Sequence, residues 1–241
     1  MKRLTFTLFM GLTCLLVQAN SLLPTPQTGQ PFSTGTINDI QLVSNGTDVA
    51  LIIANNTTGK LYAIDINDNN SADSAANAIT QITGFPAAIE AALGVTGIVI
   101  QNFEVNPISK SVYVLATDGS ANRYIVVVKN NGGNITSLTL TSVNYVALTF
   151  STTGFEVQDM TWGNNKLYVS SGSWALDGEV GSISAPFAHN SVTTNRATSM
   201  FKSNWGGGYF TDAPLEKFDF ATVATKNRLM GVTVCAPGFS I

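Results

Sequence analysis

A short β-unit recurs four times along this chain at nearly constant spacing. In each copy a polar residue precedes an apolar anchor residue, and a second apolar run follows after a turn. The anchors are separated by 63, 57 and 58 residues; they are Ile40, Phe103, Met160 and Phe218. A period of this size, built from short strands, predicts a repeat architecture of antiparallel sheets.

The clearest copy lies between Gln101 and Lys129 and reads as three consecutive antiparallel strands. Its β-branched and aromatic runs are separated by turns at Asn106-Pro107 and Asp118-Gly119. Such units are typical of propeller blades. We therefore expect an all-β fold, a β-propeller of four-stranded antiparallel blades.

The repeat spacing also predicts the division of the chain. A lead at 20–35 precedes a partial propeller domain at 36–241, with three blades and part of a fourth. The blades are expected near 36–83, 98–150, 155–200 and 212–241. One short helix is expected at Pro86 to Leu93, because proline suits a first helical turn and Gly94 can end the helix.

An incomplete propeller leaves sheet edges unpaired, and unpaired edges are strongly disfavoured in soluble proteins. Either this sequence is a truncated piece of a longer gene product, or two chains pair. We expect truncation. Self-association through the open sheet edges is the expected behaviour of such a fragment.

The N-terminus has the features of a secretory signal peptide. A positive start at Lys2-Arg3 precedes an apolar segment from Leu4 to Val17, and Ala19 ends a small-residue cleavage signature. Cleavage there exports the mature chain to the periplasm or the extracellular space. No later apolar run is long enough for a transmembrane helix, so we expect no membrane span in the mature chain.

The charge balance excludes one class of partner. The sequence has 12 basic and 15 acidic residues, and loss of Lys2 and Arg3 leaves 10 against 15, a net charge of −5. Phosphate binding needs clustered lysines and arginines, so we expect no nucleic-acid partner.

After loss of Cys14 with the signal peptide, Cys235 remains alone and no internal disulfide can form.

Five segments between about residue 100 and residue 241 resemble exported bacterial β-propeller proteins of uncharacterised function, within the YVTN-type propeller superfamily. The motifs that they resemble are NP-x-S-x-x-VYL at 106–114, ITDLAY-x-x-GRLYVAG at 157–172, SIPFPF at 182–187, T-x-x-P-x-R-x-F at 211–218 and YTCTP at 233–237. The resemblance implies an exported propeller that continues beyond the last of these segments. It implies no activity. Where the family often has a His-Gly-x-His-Gly element, this chain has Asn204-Trp205-Gly206-Gly207-Gly208.

Polar residues beside the anchors are the candidate ligand site. The inner strands of a propeller line a central channel, so these side chains can converge on a ligand or only satisfy exposed backbone groups. His189 and Trp205 are added as candidates from loops at the channel mouth. The predicted ligand-binding residues are Asp39, Asn102, Glu104, Glu156, Asp159, His189 and Trp205.

The stretch Asp65 to Asp73 places oxygen-bearing side chains at alternating positions, as calcium loops do. The candidate calcium ligands are Asp65, Asn67, Asn69 and Asp73. The EF-hand template fails, since Asn70 replaces the turn glycine and Ala76 the bidentate glutamate. Side-chain-to-backbone turns in a solvated loop are the preferred interpretation, and no cofactor is otherwise expected.

We expect a non-catalytic binding or interaction module whose ligand or protein partner is unknown. The alternative is a propeller enzyme, a hydrolase or lyase that uses acids at the channel mouth. Catalysis predicts converging acids with shifted pKa values, whereas a binding module does not require them. A third alternative is an incomplete chain without independent function.

Overall fold

The computed structural model of the chain describes residues 21–33, 36–150, 156–173, 176–191, 194–197, 200–202, 208–211, 215–233 and 236–240. Most of its regular structure is antiparallel β-strand, which confirms the all-β prediction. The helices are α1 (Ser74–Asn77) and α2 (Phe85–Leu93). In chain order the strands are β1 (Gln27–Gly29), β2 (Asp39–Ser44), β3 (Val49–Asn55), β4 (Lys60–Asp65), β5 (Val99–Val105), β6 (Val112–Thr117), β7 (Arg123–Lys129), β8 (Asn134–Ser137), β9 (Val143–Thr149), β10 (Glu156–Gly163), β11 (Lys166–Ser173), β12 (Leu176–Ser184), β13 (Thr194–Ala197), β14 (Met200–Lys202), β15 (Gly208–Thr211), β16 (Leu215–Val223), β17 (Lys226–Thr233) and β18 (Ala236–Ser240).

The strands form four main sheets and one additional pair, β14 with β15. Sheet 1 has the order β1-β9-β4-β3-β2, sheet 2 β5-β6-β7-β8, sheet 3 β10-β11-β12-β13 and sheet 4 β16-β17-β18. One edge of each sheet is formed by β2, β5, β10 or β16, which we call the inner strands. They lie side by side in the order β5, β2, β10, β16. The sheets therefore follow one another in the order 2, 1, 3, 4.

Both faces of sheet 1 are buried, and its sequence reflects this. Strand β3 reads VALIIAN and has no exposed position. Leu51 and Ile53 belong to an apolar core shared with Tyr113 of sheet 2. On the opposite face, Ile52 belongs to a second core shared with Leu167 of sheet 3. A strand covered on both sides is continuously apolar, whereas a half-exposed strand alternates.

Helix α2 covers the face of sheet 2 that is turned away from sheet 1. Ile89 is fully buried in a core with Val114 and Val126. The helix has proline in its first turn and ends at Gly94, whose φ of 68° is the left-handed conformation that glycine adopts without steric cost. The predicted helix at Pro86 to Leu93 is present, and its role is to cover a sheet.

Sheets 3 and 4 meet through a close aromatic contact. The ring of Tyr168 stacks on that of Phe220, with centroids 5.7 Å apart. Gly163 lies under the same phenylalanine, and a Cβ atom there would come within 2.0 Å of its ring. Only glycine leaves room for this ring at the C-terminal end of β10.

Strand β9 departs from the predicted blade boundaries. It falls in the range 98–150 expected for the second blade, yet it pairs with β4 as a member of sheet 1. The lead at 20–35 also contributes a strand, because β1 pairs with β9. After sheet 2, the chain adds β9 to sheet 1 and then continues into sheet 3. Sheets 2 and 3 lie on opposite faces of sheet 1.

The segments outside the sheets also differ in part from expectation. The described structure has no strand at 67–83, inside the range expected for the first blade, and α1 is a helix additional to the single one predicted. Residues 1–19, predicted as a signal peptide, lie outside the described residues. Across the described ranges, no helix has both the length and the apolar character that crossing a membrane requires.

Asp68 fastens the loop after β4 to sheet 2. Lys129 Nζ lies 3.0 Å from Asp68 Oδ1, and the Tyr113 hydroxyl donates to Asp68 Oδ2 at 2.9 Å. Asn106 Nδ2 donates to the Asp68 carbonyl oxygen at 2.6 Å. Burial alone would raise the pKa of Asp68, but the hydrogen bonds from Lys129 and Tyr113 lower it. An ionised carboxylate therefore holds this loop in place.

Replacing Asp68 with alanine is expected to lower the free energy of unfolding by about 3 kcal/mol, because Lys129 and the Tyr113 hydroxyl lose their acceptor. Asp73→Ala is the matched control in the same loop, since Asp73 accepts a solvent-exposed hydrogen bond from Asn70. It should cost about 0.5 kcal/mol or less. Urea unfolding measures both variants, and equal losses would contradict the anchoring role of Asp68.

Candidate functional site

Two rows of polar side chains cross the inner strands, one residue before and one residue after each anchor. Row 1 consists of Asp39, Asn102, Asp159 and Lys217; row 2 consists of Gln41, Glu104, Thr161 and Asp219. Hydrogen-bonded partners within the rows are 63 or 58 residues apart. These separations equal those between the anchors of the same sheets. The repeat seen in the sequence therefore sets the register in which the sheets meet.

Row 1 is nearly enclosed at its acidic positions, where Asp39 and Asp159 are 5% and 6% exposed. Asn102 Nδ2 donates to Asp39 Oδ1 at 2.7 Å. Lys217 Nζ lies 2.8 Å from Asp159 Oδ1. Asp39 Oδ2 is buried and has no hydrogen-bond partner in the described part of the chain. Row 1 thus contains one neutralised carboxylate and one that is only half satisfied.

Row 2 lies closer to solvent. Gln41 Nε2 donates to Glu104 Oε2 at 2.8 Å, and both residues are partly exposed. Thr161 Oγ1 donates to Asp219 Oδ1 at 2.9 Å, and Asp219 is exposed. A ligand that reaches the inner strands would therefore meet row 2 first.

The rows also satisfy backbone groups on the open edges of the inner strands. Asp159 Oδ2 accepts from the backbone N–H of Phe218 at 2.7 Å. Asn102 Nδ2 donates to the backbone oxygen of Ile40 at 3.1 Å. An edge strand leaves such groups without ladder partners, so these contacts have a structural value of their own. They correspond to the structural alternative that the sequence leaves open for these residues.

Two carboxyl groups in the rows have raised pKa values. Burial raises the pKa of Asp39 to about 6, and the nearby charge of Asp159 adds to the effect, while the hydrogen bond from Asn102 opposes it. Burial likewise raises the pKa of Glu104 to about 7, supported by the charges of Asp39, Asp159 and Asp219 and opposed by the backbone N–H of Leu42. Neutral pH therefore falls within the titration range of this site.

Three other predicted ligand residues do not join the rows. Glu156 is exposed at the start of β10. His189 is separated from β2 by β3 and β4: its Nδ1 accepts from the backbone N–H of Ala147 at 3.2 Å, and its ring meets Tyr145 edge-on. Trp205 lies outside the described residues. The structure therefore brings together Asp39, Asn102, Glu104 and Asp159 of the predicted set.

The candidate calcium loop is occupied by internal hydrogen bonds. Asp65 Oδ1 accepts from the backbone N–H of Asn67 at 3.1 Å, and Asp73 Oδ1 accepts from Asn70 Nδ2 at 3.0 Å. Asn69 Nδ2 donates toward Asp48 at 3.4 Å. Within the described residues, no group of three or more His, Cys, Asp or Glu side chains is arranged to hold a metal ion.

A cavity of about 400 Å³ lies away from the rows, beside β7 and β8. Its lining includes Gln30, residues 122–125 and residues 137–141. The guanidinium group of Arg123 in this lining donates to the carbonyl oxygen of Ile37. Arg123 therefore connects β7 to the segment before β2, and no sequence motif indicates the cavity.

Sequence reasoning missed four members of the rows, namely Gln41, Thr161, Lys217 and Asp219. The signal was available, because each lies one residue from an anchor, as the predicted members do. Lys217 and Thr161 differ in chemistry from the acidic residues at equivalent positions, so a search by residue type does not find them. Position relative to the anchor is the more reliable guide here.

The sequence matches no protein-family model and no curated protein. The resemblance to exported propeller proteins therefore stays an expectation. Residue roles have to be inferred from the chemistry of the rows themselves.

The raised pKa values predict that stability falls as pH rises. A carboxyl group whose pKa is higher in the folded than in the unfolded chain binds its proton more tightly when folded, so it stabilises the fold below its folded pKa. We expect the free energy of unfolding to decrease between pH 5 and pH 8, by about 1.4 kcal/mol through Asp39 and by about 2.5 kcal/mol through Glu104, whose folded pKa is higher. Asp68 acts in the opposite sense at more acidic pH, because its pKa is lowered.

Asp39→Asn should reduce this pH dependence by about 1.4 kcal/mol, because asparagine does not titrate, while the contribution of Glu104 remains. Asp73→Asn is the matched control and should retain the slope of the unaltered chain. Urea unfolding at intervals between pH 5 and pH 8 measures both. A stability that rises over this range, or an unchanged slope in Asp39→Asn, would show that Asp39 does not titrate as described.

Proposed function

We propose that this chain is an exported β-propeller-type module that binds a cationic, amine-bearing ligand at its inner strands. The four sheets serve as three blades and part of a fourth, and residues 1–19 direct export to the periplasm or the extracellular space. The observation that carries the proposal is the excess of carboxylates over basic groups in the two rows.

The rows contain four carboxyl groups and a single lysine. Lys217 neutralises Asp159. Asp39, Glu104 and Asp219 accept hydrogen bonds from the neutral side chains of their row partners. The raised pKa values of Asp39 and Glu104 fall when a cation approaches, because opposite charge favours the ionised form of a carboxyl group. This is the chemistry that an ammonium group supplies.

Access to the rows comes from the solvent side. Asp219 is exposed, Glu104 is partly exposed, and the Lys217 side chain is 62% exposed. The half-satisfied carboxyl of Asp39 lies behind these groups and gains a compensating charge when a cation binds.

One observation favours the enzyme as a second candidate. Glu104 has a pKa raised to about 7, which is a suitable value for a general acid or base at neutral pH. The same value follows from burial between sheets, so it supports catalysis only together with a substrate. Turnover that depends on one ionisation near neutral pH and is lost in Glu104→Gln would favour this candidate.

Binding of spermidine, a trivalent amine, tests the proposal. We expect calorimetry at neutral pH and low salt to show binding with release of protons, because the amine lowers the pKa values of Asp39 and Glu104. Glu104→Gln keeps a hydrogen-bond acceptor for Gln41 but loses the charge. It should weaken binding about tenfold, which corresponds to about 1.4 kcal/mol.

Two controls identify the source of any heat. Asp73→Asn removes a carboxylate outside the rows and should bind spermidine as the unaltered chain does. Maltotriose, a neutral polyol, should not bind. Spermidine binding that is equal in all variants would indicate general charge attraction and overturn the proposal, as would binding of maltotriose alone.

A further inference from the structure

Six large apolar side chains are exposed in the part of the chain whose side chains the structure describes, and they form two groups. The first group lies on β5 of sheet 2: Phe103 and Val105 share one side of the strand and form the leading face, whereas the bulge between Ile100 and Asn102 turns Val99 to the other side. The second group, the trailing face, consists of Val223, Met230 and Val232 on β16 and β17 of sheet 4. Sheets 2 and 4 are the two ends of the row of sheets.

The junctions between neighbouring sheets all pair the same two kinds of surface. Ile40 of sheet 1 is buried in the core shared with sheet 2, and Met160 of sheet 3 in the core shared with sheet 1. Phe220 of sheet 4 packs on Tyr168 of sheet 3. In each case the anchor side of one inner strand meets the row side of its neighbour.

The two ends of the row of sheets therefore present different sides of an inner strand. The leading face is the anchor side of β5, since Phe103 is itself an anchor, and 61% of its surface is exposed. The trailing face is the row side of sheet 4. Met230 and Val232 lie opposite Asp219 and Lys217 in the β16–β17 register and so share their face.

We infer that two copies of this chain associate head to tail, with the leading face of one copy packed on the trailing face of the other. The contact continues the internal junctions, because an anchor side again meets a row side. Such an interface is heterologous, since different surfaces of the two copies meet. If both ends of each copy are used, two copies close into a ring of eight sheets.

Helix α2 leaves room for this contact. It covers the outer strands of sheet 2 on the side of the leading face, and its solvent side carries only small residues, Pro86, Ala87, Ala91 and Ala92. Small side chains allow the backbone of a neighbouring element to approach closely. The approaching sheet would thus rest on both β5 and the helix.

Light scattering on a sizing column tests the inference. At a concentration of about 100 μM, the purified protein should have at least twice the mass of one chain. Phe103→Asp, which blocks the leading face, and Met230→Asp, which blocks the trailing face, should each reduce the mass to that of one chain. Ser71→Asp adds the same charge at an exposed position in the loop before α1, and its mass should be unchanged.

Mixing the two blocked variants gives the decisive result. Phe103→Asp retains a trailing face and Met230→Asp retains a leading face, so the mixture should form a dimer with one intact junction. Recovery also shows that both variants are folded. A monomeric unaltered protein, a loss of mass in only one of the two variants, or a mixture that stays monomeric would each overturn the inference.

Discussion

The open edge of each inner strand is the constraint on which the rest of the structure depends. Such an edge presents N–H and carbonyl groups that need partners. Side chains of the neighbouring sheet supply them, as Asp159 does for the backbone of Phe218 and Asn102 for that of Ile40. A slip of one residue would turn these side chains to the wrong face. The edge contacts therefore fix the register of the sheets, and the apolar anchors are buried in the same register.

The same arrangement accounts for the electrostatics of the site. Acidic side chains are good acceptors for free N–H groups, so aspartate and glutamate suit these positions. Burial of these groups, together with the charges of neighbouring carboxylates, raises the pKa values of Asp39 and Glu104. Lys217 offsets the charge at one position only. The carboxylates that satisfy the edges of the inner strands thus also form a site whose charge changes near neutral pH.

Much of this could be predicted from the sequence, and the rest has identifiable reasons. The anchor spacing predicted the repeat of strands, and the hydrogen-bonded row partners in the structure keep the same separations. Strand β9 could not be assigned to sheet 1, since it follows sheet 2 directly in the chain and its apolar pattern suits either sheet. The role of Asp68 was also missed. An aspartate in a polar loop looks solvated until Tyr113 and Lys129 are seen to enclose it.

The return of the chain through β9 has a consequence for how this protein folds. Sheet 1 is not complete until β9 is made, and β9 follows all of sheet 2 in the chain. During synthesis from the N-terminus, sheet 1 must therefore wait for sheet 2 before its outer strands can pair. Sheet 1 therefore cannot be duplicated in evolution as one continuous segment without sheet 2, which lies between β4 and β9 in the chain.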